Sequence, residues 1–311
     1  MTSVAQQRAG ELAQGTPSYA VITPARNEAQ YIERTILCMI AQTLPPVKWV
    51  IVSDGSTDGT DEIVAKYLPD HPWIELIRMP ERRERHFAGK VHAFDAGRAR
   101  LAGMEFDIIG NLDADVTFED DYFEFLMSKF AQDSGLGVAG TAFSEGSLQY
   151  DYRFTNIEHV SGQIQLFRVS CFEEIGGYQP RRLGGIDWVA VTTARMRGWR
   201  TRTFPEKRFI HHRQMSSAMH SGLAVPFRGG RKDYLLGNHP LWELFRCVYQ
   251  SAQPPILIGG GLRFAGYVWS MLCRTDRQLS PELVRFTRQE QLRRLGKLFQ
   301  GRRATARVQA D

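Results

Sequence analysis

Ile109-Gly110-Asn111-Leu112-Asp113-Ala114-Asp115-Val116 sets two carboxylates one residue apart directly after an apolar run. A strand ending there puts Asp113 and Asp115 at its carboxyl edge, where open α/β sheets bind their ligands. Such a pair suits a divalent cation through hard oxygen ligands, and that cation can neutralise a diphosphate. D-x-D also arises by chance and is commonly just solvated, so its meaning rests on what surrounds it.

Upstream, short apolar runs alternate with helical patterns. Strands are predicted over residues 19–23, 49–53, 73–78 and 106–111, with helices over 29–42, 58–68 and 89–101 between them. This β-α-β-α-β-α-β order predicts an α/β fold, a mostly parallel twisted sheet with flanking helices. No G-x-G-x-x-G follows the first strand, which disfavours a dinucleotide-binding domain. Downstream, a helix is expected over 120–132, strands near 137–143, 163–169 and 201–204, and a helix over 187–197. The resulting division is a flexible N-terminus (1–17), a main domain (18–215, with halves 18–116 and 117–215) and a C-terminal extension (216–311). Within the extension, a Gly-rich segment at 227–234 precedes a helix starting near Leu241.

Hydrophobic residues make up 43% of the 311 positions and charged ones 23%, ordinary for a folded domain. Cys38, Cys171, Cys247 and Cys273 lie far apart, which suggests reduced thiols in the cytoplasm and not a disulfide framework or a zinc site. The N-terminal stretch lacks an apolar core, so no signal peptide is expected. Residues 274–311 carry ten Lys/Arg against four Asp/Glu, net +6, so the rest of this +5 chain is close to neutral. That basic tail follows an apolar stretch, 255–273, which contains Arg263 and four glycines. A central arginine is costly in a spanning helix. Peripheral association with an anionic membrane surface is therefore expected first and a buried core helix second; nucleic acid is not expected as a partner.

Four loops at element ends carry further chemistry. Thr23-Pro24-Ala25-Arg26-Asn27-Glu28 follows the first strand and reads as a proline turn with a helix cap or as a nucleotide contact through Glu28. Ser53-Asp54-Gly55-Ser56-Thr57-Asp58 follows the second, and Asp54 reads as part of a capped turn or as an acceptor for a base N–H. Lys90 sits at a helix start near Arg82, Arg83, Arg85 and His86, against the helix dipole, which suits a solvated basic face or an anion site. Gly184-Gly185-Ile186-Asp187-Trp188 opens a helix, with Asp187 either its cap or a general base.

The ordered set Pro24-Ala25-Arg26-Asn27-Glu28, Asp54-Gly55-Ser56-Thr57-Asp58, Lys90, Asp113-Ala114-Asp115 and Gly176-Gly177-Tyr178 resembles a family 2 glycosyltransferase of the GT-A fold, across about residues 18–215. Asp187 fits the aspartate of that family's E-D motif, and its helix runs to Gly198-Trp199. The resemblance implies a nucleotide-sugar donor, probed first with UDP-sugars, and donor contacts from Pro24, Arg26, Glu28, Asp54, Lys90 and Asp113. It implies Mg²⁺ or Mn²⁺ on Asp115, with Asp113 a further candidate ligand. Of the pair His211-His212, His212 is the preferred metal-side histidine. Asp187 would deprotonate an acceptor hydroxyl for inverting displacement, with Gly177, Tyr178 and Trp188 on the acceptor side. Ile186 replaces the first acid of the E-D pair and Thr193 a common arginine, and the Q-x-x-R-W signature of processive synthases is absent. A single-sugar transfer to a lipid-linked or polysaccharide-precursor acceptor, at the cytoplasmic face of the cell membrane, is therefore expected. Two rivals stand beside it: a degenerate sugar-nucleotide-binding scaffold, and a sugar-phosphate nucleotidyltransferase, whose glycines the first loop lacks.

Overall fold

Strand β1 (Tyr19–Ala25) is the axis around which the sheet is built, and six of its seven residues are buried. A central parallel strand is covered on both faces, so its sequence is a continuous apolar run with no polar alternation. It pairs in parallel with β2 (Lys48–Asp54) on one side and β4 (Ile108–Leu112) on the other, Ile22 lying opposite both Val50 and Asn111. Beyond β2 lies β3 (Ile74–Met79), also parallel. Helices α1 (Ile32–Ile40), α2 (Thr60–Ala65) and α3 (Ala88–Arg100) make the crossovers. Alternate β1 side chains feed opposite cores. Tyr19 and Val21 pack with Ile32, Ile36 and Met39 of α1; Ala20 and Ile22 pack with Val91 and Phe94 of α3. The chain steps outward from β1 to β3 and returns on the far side as β4, which opens a crevice at the carboxyl ends of β1 and β4.

This computed structural model describes residues 15–81, 88–146, 148–149, 156–181, 184–213, 224–251 and 258–308. The residues Arg82, Arg83, Arg85 and His86, most of the N-terminal segment and the start of the 255–273 stretch lie outside that set.

The second half of the sheet is mixed where the sequence suggested mostly parallel pairing. It comprises β5 (Val116–Thr117), α4 (Tyr122–Gln132), β6 (Leu136–Glu145), β7 (Leu148–Gln149), β8 (Ile164–Arg168), α5 (Val169–Glu174), α6 (Ile186–Met196) and β9 (Arg200–His211). Strand order is β3-β2-β1-β4-β8-β6-β9-β5, with β7 on β6. β8 runs antiparallel to both β4 and β6, while β9 is parallel to β6 and antiparallel to β5. β9 also continues well past its expected end at Phe204. Thr141 pairs with Phe204 but Ala142 with Arg208, so residues 205–207 form a bulge that accommodates Pro205 without ending the strand. Lys207, in that bulge, is bonded to Glu119 and Asp121. The continued strand delivers His211 to the sheet edge.

Residues Met1–Gln214 and Met215–Asp311 form two separate units. The second is helical: α7 (Ala224–Leu235), α8 (Pro240–Gln250), α9 (Ile258–Leu272) and α10 (Pro281–Val308). The Gly-rich 227–234 segment lies within α7, because its glycine serves helix packing and not a turn. A Cβ on Gly230 would collide with the Arg263 carbonyl, and one on Gly266 with the Phe227 carbonyl. Arg263 is ion-paired to Asp233 and Glu243, the latter at 3.3 Å. Among the described residues no helix is long and apolar enough to cross a membrane.

Helix α3 reaches the sheet through Gly97, where an added Cβ would lie 2.6 Å from Ile22 Cγ2 and 3.0 Å from Val52 Cγ2. Both neighbours are fully buried and cannot yield. Gly97→Ala gains up to ~1 kcal/mol of helix propensity and loses ~1–3 kcal/mol to overpacking. Its denaturant midpoint is expected to fall; an unchanged or higher midpoint would contradict this account of the helix–sheet contact.

Candidate active site

The D-x-D loop is tied down from several directions. The Ala114 side chain points into the core, 3% exposed, so the flanking carboxylates turn away from it. The Thr35 hydroxyl of α1 is shared between the carbonyls of Ala114 (2.9 Å) and Val116 (2.8 Å). Asp113 N–H donates to the Gln163 carbonyl at 2.8 Å, and His212 N–H to the Asp115 carbonyl at 2.9 Å.

Asp113 faces a donor cluster. Its Oδ1 accepts from Lys90 Nζ and, at 2.9 Å, from Asn111 Nδ2. Asn111 and Lys90 also donate to the Gly162 carbonyl, at 2.7 and 3.4 Å. Asn111 is buried and its Oδ1 has no donor among the described residues. Asp187 belongs to the same neighbourhood: a Cβ on Gly162 would lie 2.8 Å from Asp187 Cβ. Residues far apart in sequence thus meet around one glycine.

Asp115 faces different partners. His211 Nε2 and Arg213 Nε each stand 3.4 Å from its Oδ2, and Arg213 also pairs with Glu28. On the other side of the imidazole, Glu145 Oε2 lies 3.4 Å from His211 Nδ1. His212, the preferred metal-side residue on sequence, turns elsewhere: its Nε2 bonds Thr117 Oγ1 at 2.9 Å and its ring stacks on Tyr31. Successive side chains of an extended segment point to opposite faces, so only one of the two histidines can face Asp115.

These surroundings separate the two acids. Burial, with the neighbouring Asp115 charge, pushes the Asp113 carboxyl up against the opposing pull of Lys90. Burial acts on Asp115 in the same sense, but the hydrogen bond and charge of His211, with Arg213 and Lys90, hold it below the usual carboxylate range. Burial likewise lowers His211, and the hydrogen bond and charge of Asp115 outweigh it, so the imidazole is raised.

The loops after β1 and β2 are laced together. Ser56 Oγ accepts from Asn27 N–H, Asn27 Oδ1 from Thr57 N–H, Thr60 Oγ1 from Glu28 N–H and Asp58 Oδ2 from Ala29 N–H, all at 2.8–3.1 Å. Asp54 is buried with Arg26 Nη1 3.8 Å from its carboxylate. Gly55, at φ +66, has Glu81 Cα where a Cβ would sit (2.6 Å), and this close turn aims Asp54. The turn and the polar cluster are therefore one construction.

Two expected acceptor-side residues have another place. Tyr178 is 8% exposed, set edge-on to Phe94, Phe167 and Phe172, and its hydroxyl donates to Gln165 Oε1 at 2.8 Å. Gly177 lies at φ +70 against the Phe172 ring. Both belong to the aromatic core around Phe172. Trp188 is half-buried beside Asp187 on α6. Asn111, Gly162, Glu145 and Arg213 were not singled out on sequence; only Asn111 carried a signal, the period-two series Asn111, Asp113, Asp115.

Among the described residues no three His, Cys, Asp or Glu side chains close around a metal position. The donor set still suits one. Mg²⁺-type sites commonly combine one or two carboxylates with substrate phosphates, and a metal-ligating imidazole is characteristically backed by a carboxylate, as His211 is by Glu145.

The Glycosyl transferase family 2 model matches residues 20–183, just over half of the chain. The succinoglycan biosynthesis protein ExoA of Rhizobium meliloti is 28% identical over 188 residues, 52% of this chain and 53% of that protein. A chondroitin synthase of Pasteurella multocida is 30% identical over 125 residues, 40% of this chain and 12% of the synthase. The matched part spans between 12% and 59% of the length of such curated relatives. Among solved structures, the mannosyltransferase PcManGT from Pyrobaculum calidifontis in complex with GDP-Man and Mn²⁺ superposes with a TM-score of 0.52 at 19% identity, covering 86% of this chain and 77% of that one. S. aureus TarS 1–349 in complex with UDP-GlcNAc gives 0.54 at 13% identity, covering 87% and 78%. Both likenesses are of fold, a mixed α/β sheet of the GT-A type. With Asp54, Lys90, Asp113 and Asp115 gathered at the sheet edge inside the matched residues 20–183, the chain belongs to glycosyltransferase family 2.

Proposed function

We propose that this chain is a metal-assisted inverting glycosyltransferase. It moves one sugar from a nucleotide-sugar, a UDP-sugar first among the candidates, to a hydroxyl of a lipid-linked or polysaccharide-precursor acceptor. The observation that carries the reading is the meeting at Gly162, whose carbonyl is held by Lys90 and Asn111 beside Asp113 and whose α-carbon face packs on Asp187. A leaving diphosphate and an incoming hydroxyl need such groups in one crevice.

In this reading Asp54, held by Arg26, accepts from the base, and Glu28 with the Pro24 turn borders the nucleoside. Asp113 takes the ribose side and Lys90 the phosphates. A bound Mg²⁺ or Mn²⁺ supplies charge neutralisation for the departing nucleoside diphosphate. Asp115 would hold it, with His211 replacing His212 as the nitrogen donor and Asp113 as a further candidate. Asp187 accepts the acceptor's proton as its oxygen attacks the anomeric carbon from the face opposite the diphosphate, inverting the configuration. Trp188 borders the acceptor.

Removing the base should separate from removing the metal donor. Asp187→Asn is expected to lower kcat by roughly 10²- to 10⁴-fold with UDP binding intact. Gly162→Ala should lower kcat in the same direction by displacing Asp187. Full transfer activity in Asp187→Asn would defeat the assignment. His211→Ala is expected to weaken Mn²⁺-dependent UDP binding, read by calorimetry, by about tenfold or more, while His212→Ala changes it little. The opposite ranking would return the role to His212.

The lipid-linked acceptor is supported by the inverted polarity of the helical unit. On α8 the inward positions are Glu243 and Cys247, while Leu241, Leu244 and Val248 (66% exposed) form the outer face. On α9, Arg263, Tyr267 and Ser270 turn inward; Ile258, Trp269 (57% exposed) and Leu272 (71% exposed) turn outward. Apolar outer faces joined to a basic tail complement an anionic lipid surface. The protein would lie peripherally on the cytoplasmic face of the cell membrane. Trp269→Glu with Leu272→Glu should abolish flotation with anionic vesicles while leaving the thermal midpoint unchanged; undiminished flotation would remove this part of the proposal.

A further inference from the structure

The helical unit contains a cavity of about 620 Å³, lined by Arg274, Arg277, Arg285 and Arg288 against one carboxylate, Asp276. Four guanidinium groups against one acid leave it strongly cationic. Arg285 and Arg288 lie three residues apart on α10 and so on one face. Two of the guanidinium groups are set in place: Arg277 Nε donates to the Tyr234 carbonyl at 3.1 Å and lies over the Tyr234 ring, and Arg288 Nε donates to the Gly237 carbonyl at 3.2 Å. Arg274 and Arg285 are exposed at the rim. The acids that pair with Arg246 and Arg263, Asp233 and Glu243, do not line this cavity. Leu279 and Leu292 give it an apolar wall.

We infer that this arginine cavity binds a phosphate group borne by a ligand with an apolar part. Planar guanidinium forks match carboxylate and phosphate oxygens alike, and four arginines against one acid, two of them preset, suit the higher charge of a phosphate. The site stands apart from the donor crevice in sequence and chemistry, and the inference does not depend on the reaction proposed above. Either a phospholipid headgroup or a free phosphate compound would supply the chemistry.

The test uses the full-length protein in EDTA, which keeps metal-dependent binding in the other unit silent. Pyrophosphate affinity is measured by calorimetry. Flotation is measured with phosphatidylcholine vesicles, with and without phosphatidic acid. Arg274→Gln with Arg285→Gln, both exposed, removes two pocket cations; Arg293→Gln with Lys297→Gln, also exposed on α10, removes the same charge outside it. Loss of about tenfold or more in the pocket variant, with the control near the parent, is expected. If that loss is seen only for pyrophosphate the ligand is soluble, and if only for phosphatidic acid vesicles it is lipid. Equal losses in both variants, no loss in the pocket variant, or no binding of either probe by the parent would overturn the inference.

Discussion

The shared Thr35 hydroxyl is the constraint on which the donor edge depends. By bonding the carbonyls on both sides of Asp115 it fixes the loop's direction, while Ala114 anchors it in the core. A loop held through its backbone leaves its side chains for chemistry. Asp113 and Asp115 then point to different partners, and this divergence gives two adjacent carboxylates different electrostatic environments. Were the loop to turn by one residue, both acids would enter the core and Ala114 would take their place.

The same division extends outward. Asp113 is held by Lys90 from α3 and Asn111 from β4, and Asp115 by His211 and Arg213 from the end of β9. One set comes from the parallel half of the sheet, the other from the mixed half. The crevice therefore requires both halves: the first contributes the loops after β1 and β2, the second the imidazole and Asp187. This explains why a single fold unit ends only after β9 and not after β4.

Much of this was legible in sequence because β1, β2 and β4 are buried on both faces and so read as unbroken apolar runs. Asp54 ends β2, Asp113 follows β4 and Lys90 opens α3, positions that the predicted elements locate and the family resemblance interprets. What stayed hidden has a physical reason in each case. Pro205 reads as the end of a strand, and only the bulge at residues 205–207 shows that β9 continues to His211. Which histidine faces Asp115 depends on the register of that continuation, a long-range property. Gly162 has no local signature; its importance lies in being where Asp187 and the Lys90–Asn111 pair meet. Tyr178 was expected on the acceptor side through the motif Gly176-Gly177-Tyr178, and its three ring contacts, which join distant segments, place it in the core.

Arg263 shows how a residue's local meaning can reverse in three dimensions. In sequence it interrupts an apolar stretch and argues against a spanning helix there. In the fold, Gly230 and Gly266 bring α7 and α9 into backbone contact, and the close crossing sets Arg263 against Asp233 and Glu243. Burial raises the Glu243 carboxyl, as does the Asp233 charge, so two acids can share that interior only with Arg246 and Arg263 beside them. The arginine is thereby consumed inside the unit. Because it points inward, the opposite side of α9 carries no charge, and Ile258, Trp269 and Leu272 form a continuous apolar face. The residue that makes the stretch unsuited to spanning a membrane is what leaves its outer face apolar.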